Sequence, residues 1–111
     1  MTVAEAELAP LNKVCGEARI IEEGGVTYVY LAELRLPPGC GSLAVDALLR
    51  PGPGPDGYTS RLFLSSPFVQ KGQNWTIHRI ADRAWHAFSY NNVPSDIPLI
   101  EILANHLSVL K

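Results

Sequence analysis

Two places in the chain set a hydroxyl beside an imidazole. Thr76 stands two residues before His78, and Ser89 stands three residues after His86. A hydroxyl within reach of a neutral histidine can act as a nucleophile, with the ring as its general base. In a strand, residues 76 and 78 share a face, so that pair needs only extended backbone. Residues 86 and 89 do not share a face, and a turn at Ser89 is needed to bring them together. Cysteine offers less. The chain has two, Cys15 and Cys40. They form no CxxC pair, and no histidine lies at metal-ligand spacing from either. Cys40 sits in a PPGCG turn that would expose its thiol, but no neighbouring His or Lys lowers its pKa. The three histidines include no i,i+4 helical pair, so no metal and no cofactor is assigned.

Most of these residues fall in a stretch without a clean period, 69–92, which also carries both tryptophans. It reads as a structured flap with one short strand around 84–89, and connections this long are usually functional. The elements that must hold it are clearer. Residues 2–9 form a short helix with Thr2 and Glu5 as a capping box, and Pro10 fixes its exit. From Lys13 the pattern becomes extended. Two strands meet at Gly24-Gly25, a hairpin signal. In the second strand Val26, Tyr28, Tyr30, Ala32 and Leu34 take one face, and Thr27, Val29, Leu31 and Glu33 the other. Both faces are partly apolar, so both are expected to be covered. Pro37-Pro38-Gly39 turns the chain into a third strand, 42–51. A Pro/Gly loop, 51–58, leads to a fourth, 61–68. After the flap, Ser95 or Asp96 caps a final helix with Pro98 in its first turn. Ile100, Leu103, Leu107 and Leu110 form its buried stripe, widened by Ile102 and Ala104. Glu101, Asn105 and Ser108 face water. His106, between Asn105 and Leu107, is read as partly exposed.

The expected fold is therefore α+β: a four-stranded antiparallel meander with the C-terminal helix on one face. It forms a single domain over 1–111: an N-terminal helix or arm (1–12), the meander (13–68), the flap (69–94) and the helix (95–111). With 47% hydrophobic and 18% charged residues, the chain is of ordinary globular composition. A net charge of -2 with scattered Lys and Arg gives no reason to expect nucleic-acid binding. The opening MTVAEAELAP has acidic residues where a signal peptide has basic ones, and no segment is apolar enough for a membrane span. The reading is a soluble, cytoplasmic protein with reduced thiols.

The order of parts resembles the ubiquitin-conjugating (E2) superfamily, with its UBC or RWD-like fold. LLRPGPGPDGYTSRLFLSSP is similar to the E2 segment in which a strand ends in proline, a Tyr-bearing loop crosses over and the next strand runs to another proline. VPSDIPLIEILANHLSVL is similar to the Pro-led E2 helix. The chain most resembles the short prokaryotic E2 family E. That family shares an LPPG turn (36–39), a G-Y-x-x-R-L-F strand (57–63) and an R-x-W-x-x-[FW]-S motif, here Arg83, Trp85, Phe88 and Ser89. The resemblance spans about 26–111. It implies a place in a bacterial ubiquitin-like conjugation pathway, with an E1-like activating enzyme and a ubiquitin-like protein as partners, and a part in anti-phage defence. It also implies that Trp85, Tyr90, Asn91 and Tyr58 serve binding. Tyr58 would fix the crossover, and Asn91 and Asn92 would donate to an oxyanion.

The chain departs from ordinary E2 enzymes at the site itself. It has no His-Pro-Asn motif and no flap cysteine. Trp85 falls where the cysteine would be, and residues 74–78 occupy the His-Pro-Asn region. Three roles follow. The first is an oxyester carrier using Ser89 with His86 or Thr76 with His78. The second is an adaptor that binds the activating enzyme or the ubiquitin-like protein without catalysis. The third is a carrier that uses Cys40. The competing class is a stand-alone binding module or a toxin–antitoxin accessory protein, unrelated to conjugation.

Overall fold

The computed structural model describes residues 7–35, 44–52, 58–65, 75–88 and 97–108, with the side chain of Phe88 excepted. In these, two helices and six strands follow in the order α1 (Leu8–Leu11), β1 (Glu17–Glu23), β2 (Val26–Arg35), β3 (Ala44–Arg50), β4 (Arg61–Leu64), β5 (Trp75–Ile80), β6 (Arg83–Phe88) and α2 (Leu99–Ser108). The strands form one antiparallel sheet in the order β1-β2-β3-β4-β6-β5.

β1 and β2 join at Gly24-Gly25, both at positive φ, with Glu23 opposite Val26. A two-residue turn of this hand follows the twist of the strands, and glycine takes it without steric cost. β3 and β4 continue the expected meander. The correction comes next. The sheet has six strands rather than four, because 75–88 folds as a hairpin. β6 inserts beside β4, and β5 takes the outer edge. The turn of this hairpin is Ala81-Asp82, with φ 52 and 62. Non-glycine residues rarely accept that conformation, so the sequence carries no turn signal there.

Side chains alternate across the sheet and build two cores. On one face Val29, Leu31, Leu34, Ala47, Leu49, Leu62 and Leu64 meet Leu8 and Leu11 of α1 and Leu99, Ile102 and Leu103 of α2. On the other, Tyr28, Leu48, Phe63, Ile80, Trp85 and Ala87 form an aromatic cluster. Both faces of β2 are thus covered. Leu34 lies with Val29 and Leu31 rather than with Tyr28, because the register shifts between Leu31 and Leu34. Glu33 stands in this bulge at φ 54, and the added residue moves every later side chain to the other face.

The second face is concave. Arg83 of β6 reaches over to donate to the Tyr30 hydroxyl of β2 (3.1 Å) and pairs with Asp46 of β3 (3.1 Å). The Ala81 N–H donates to the Glu23 carboxylate at the end of β1. Such contacts between strands that are not neighbours require the sheet to curl. Tyr30 and Trp85 stack edge to face inside the curl, with centroids 6.0 Å apart.

The helices are tied to the sheet by polar contacts. Asn12, closing α1, accepts the Ala18 N–H of β1 (2.9 Å). The Pro98 carbonyl accepts the Glu101 and Ile102 N–H groups at the start of α2. The Leu99 N–H donates to the Glu7 carboxylate (3.3 Å), which places a negative charge at the positive end of the helix. The buried face of α2 is Leu99, Ile102, Leu103 and His106. Ile100 and Leu107 are only half-buried and Ala104 is exposed, so the expected stripe is out by about one residue's rotation. Glu101, Asn105 and Ser108 face solvent as expected. Residues 1–6, with Thr2 and Glu5, and Ser95, Asp96 and Leu110 lie outside the described residues.

Candidate functional site

The hairpin β5–β6 decides which chemistry-bearing residues meet. Thr76 pairs with Ala87 and His78 with Trp85. Directly opposed residues share a face, so Thr76 and His78 look into the concave side. Ile77 pairs with His86, and His86 with Leu64. His86 therefore lies on the helix side, half-buried. His86, the imidazole of the other expected pair, is thus on the opposite face of the hairpin from Thr76 and His78.

The Thr76–His78 spacing gives a contact. Thr76 Oγ1 stands 2.7 Å from His78 Nε2. With Nε2 unprotonated, the hydroxyl donates to the ring, which is the arrangement of a nucleophile and its base. Arg61 Nη2 lies 3.4 Å from the same oxygen, and the Ala87 carbonyl is also at 3.4 Å. A guanidinium there favours negative charge developing on the hydroxyl oxygen. His78 is held edge-on against Phe63, with centroids 5.3 Å apart. Arg61 is itself buried, its guanidinium 4.2 Å from the Tyr58 ring centroid and 5.9 Å from that of Phe63. Thr76 is exposed and His78 half-buried, so the pair is open to a partner. Beside it a cleft of about 460 Å³ is lined by Val26, Tyr28, Arg50, Phe63 and residues 77–80 of β5.

Tyr58 is half-buried. Besides the ring contact with Arg61, its carbonyl accepts from Arg50 Nη2 (2.9 Å). It anchors the two arginines where the chain enters β4. Trp85 requires a correction. Its side chain is 1% exposed, stacks on Tyr30 and donates its indole N–H to the Ile80 carbonyl (3.2 Å). It is a core residue of the curled face and has no accessible ring to offer a partner. Arg83 lies over it, 4.6 Å from its ring centroid. Ser89, Tyr90, Asn91, Asn92 and Cys40 lie outside the described residues.

One buried polar group gives no strong sequence signal. Ser60 and His106 are each 1% exposed, and Ser60 Oγ lies 2.9 Å from His106 Nε2. Burial, then the charges of Arg50 and Arg61, lower the His106 pKa to about 4. His106 is thus neutral at pH 7, against the expectation of an exposed side chain. It links α2 to the strand entry that carries Arg61. Only its place seven residues after Leu99, on the same helical face, hinted at burial.

The remaining titratable groups support the frame. Desolvation raises the Asp46 carboxyl. Hydrogen bonds from the Glu33 N–H, Arg83 and Tyr30, with the charge of Arg83, outweigh it and hold the group below the ordinary value. Cys15 is a half-buried free thiol that donates to the Leu11 carbonyl (3.2 Å), and burial pushes its pKa up. It is therefore a weak nucleophile. Among the described residues no three His, Cys, Asp or Glu side chains converge on a metal position, and no helix is long and apolar enough to cross a membrane.

The chain matches no family model, no curated protein and no solved structure.

Proposed function

We propose that this chain is the E2-like component of a bacterial ubiquitin-like conjugation pathway. It acts in the cytoplasm as an adaptor that holds the E1-like activating enzyme and the ubiquitin-like protein. One observation carries the reading. The two strand motifs behind the E2 resemblance are far apart in sequence but adjacent in the sheet. β4, from the 57–63 motif, pairs with β6, from the Arg83/Trp85/Phe88 motif, with Phe63 opposite Ala87. In the proposed E2-like layout the segment after the fourth strand lies beside that strand; here it does so as a hairpin, which the four-stranded layout lacks, and α2 packs over the other face. A binding role needs no activated nucleophile.

A second reading is favoured by the 2.7 Å contact between Thr76 and His78. Here the Thr76 oxygen attacks the carbonyl of an E1-bound thioester. His78 takes the hydroxyl proton, the E1 thiolate leaves, and the ubiquitin-like protein remains on Thr76 as an ester. The alternative to both is a protein-binding module outside conjugation.

Incubation with a ubiquitin-like protein, its activating enzyme and ATP distinguishes the three on denaturing gels and by size exclusion. The adaptor gives co-elution with the activating enzyme and no adduct. The carrier gives a hydroxylamine-labile adduct that is lost in Thr76→Val. Neither adduct nor binding overturns the conjugation reading and leaves the unrelated module.

A further inference from the structure

The two cores of the fold are built from different parts of the chain. The first draws its buried residues from α1, β1 to β4 and α2. Among the described residues, the β5–β6 hairpin adds to it only the half-buried ring of Trp75. The hairpin belongs to the second core. There Ile80, Trp85 and Ala87 lie on Tyr28, Leu48 and Phe63 of β2, β3 and β4, with Ile21 and Tyr30 at the margin. Lifting the hairpin away would uncover the second core and leave the first whole.

The two ends of the hairpin are held in different ways. Far from the turn, β6 pairs with β4 at Phe63–Ala87 and Leu64–His86. The turn end crosses the concave face and is tied by side chains. The Ala81 N–H donates to the Glu23 carboxylate of β1. Arg83 donates to the Tyr30 hydroxyl of β2 and pairs with Asp46 of β3, each at 3.1 Å. Asp46 is in turn fixed by the Glu33 N–H (3.1 Å). Glu23 and Ala81 are exposed, and the side chains of the Arg83–Asp46 pair are 43% and 31% exposed. Each tie is therefore weak by itself, because water competes for it. The turn they hold carries backbone strain, with Ala81 and Asp82 at φ 52 and 62.

We propose that the β5–β6 hairpin is a clasped flap. It opens as one unit, by release of the Glu23, Tyr30 and Asp46 ties and of its pairing with β4, while α1, β1 to β4 and α2 stay folded. Opening uncovers the aromatic face of Tyr28, Tyr30, Leu48 and Phe63. It also divides the site. Thr76 and His78 ride on the flap, whereas Arg61 and Phe63 stay on β4. The 3.4 Å approach of Arg61 to the Thr76 oxygen and the ring contact of His78 with Phe63 belong to the closed flap. Closure thus assembles the site, as lids do elsewhere. The consequence for acyl transfer rests on the carrier reading. The motion does not, and its test reads the motion alone.

The test is amide hydrogen exchange of the full chain by NMR, under conditions where each amide reports its opening equilibrium. A released two-stranded hairpin is marginal in water, so its amides exchange whenever the flap opens. The protected amides of β5 and β6 are expected to share one opening constant, at least about tenfold larger than that of the β2 and β3 amides. Ile102→Val trims a methylene from the first core. It is expected to raise exchange of the β2 and β3 amides about fivefold and to leave the hairpin amides unchanged, because that core is intact whether the flap is open or closed. Arg83→Ala removes two of the ties and is expected to raise hairpin opening about threefold. Both variants keep the fold, since one loses a methylene and the other a partly exposed side chain. Hairpin amides that exchange no faster than those of β2 and β3, or that rise in step with them in Ile102→Val, would show that the hairpin leaves only with the whole fold and would overturn the proposal. Hairpin opening unchanged in Arg83→Ala would overturn the clasp.

Discussion

Replacing His106 with leucine should change how stability depends on pH. In the fold the ring is buried beside Ser60, Arg50 and Arg61, and its pKa falls from 6.5 to about 4. In the unfolded chain it returns to the ordinary value. Above pH 6.5 both states are neutral, and the contribution of the packed ring is fully present. As pH falls below 6.5, the unfolded chain takes up a proton that the fold refuses, and stability drops. The loss is complete once pH passes about 4. At ~1.4 kcal/mol per pH unit, the gap corresponds to about 3 kcal/mol. His106→Leu keeps an apolar body under α2 and removes the titration. At pH 7 it should be less stable than the parent by about 1 kcal/mol, for the lost Ser60 contact. Near pH 4 it should be the more stable of the two by about 2 kcal/mol. Urea unfolding followed by tryptophan fluorescence at pH 7, 6, 5 and 4 measures both curves. Curves that stay parallel would show that His106 is not buried as a neutral ring.

Three further substitutions probe the frame. Trp85→Ala removes the largest side chain of the concave core and should cost about 3–5 kcal/mol in urea unfolding at pH 7, whereas a loss under 1 kcal/mol would mean that the ring is not enclosed. Ala81→Gly relieves a non-glycine residue at positive φ and should stabilise by about 1 kcal/mol, read as a rise in melting temperature. Arg83→Ala breaks the reach to Asp46 and Tyr30. Because that ion pair is partly exposed, the cost should stay near or below 1 kcal/mol and shrink in high salt.

Local rules located most elements. Gly24-Gly25 announced the first hairpin because glycine is the residue that such a turn requires. The apolar run 99–107 located α2, although the helix starts at Leu99 with Pro98 before it rather than in its first turn. The same rules failed where a residue acts against its type. Ala81 and Asp82 take a glycine-like conformation, so the β5–β6 hairpin read as a flap. Glu33 sits in a bulge that no local pattern marks, which put Leu34 on the wrong face. On α2 the expected Leu103 and Ile102 are buried, but Leu99 and His106 complete the buried face while Ile100 and Leu107 lie at its margin, because the apolar positions look alike locally and packing against α1 and β4 sets the rotation.

The site divides in the same way. Thr76 and His78 could be paired from spacing alone, because a strand places i and i+2 on one face. Arg61, which approaches the same hydroxyl, could not. It arrives through the pairing of β4 with β6, a contact between distant segments. Ser60 and His106 are a partnership of the same long-range kind. The resemblance implies a binding role for the side chain at 85, but curling of the sheet encloses it in the core.

The most direct measurement is calorimetric titration of the full chain with an E1-like activating enzyme and a ubiquitin-like protein from the same genome. The expected result is saturable one-to-one binding per chain to the activating enzyme, retained in Thr76→Val. No heat of binding to either protein, with both shown to be active with each other, would contradict the E2-like role.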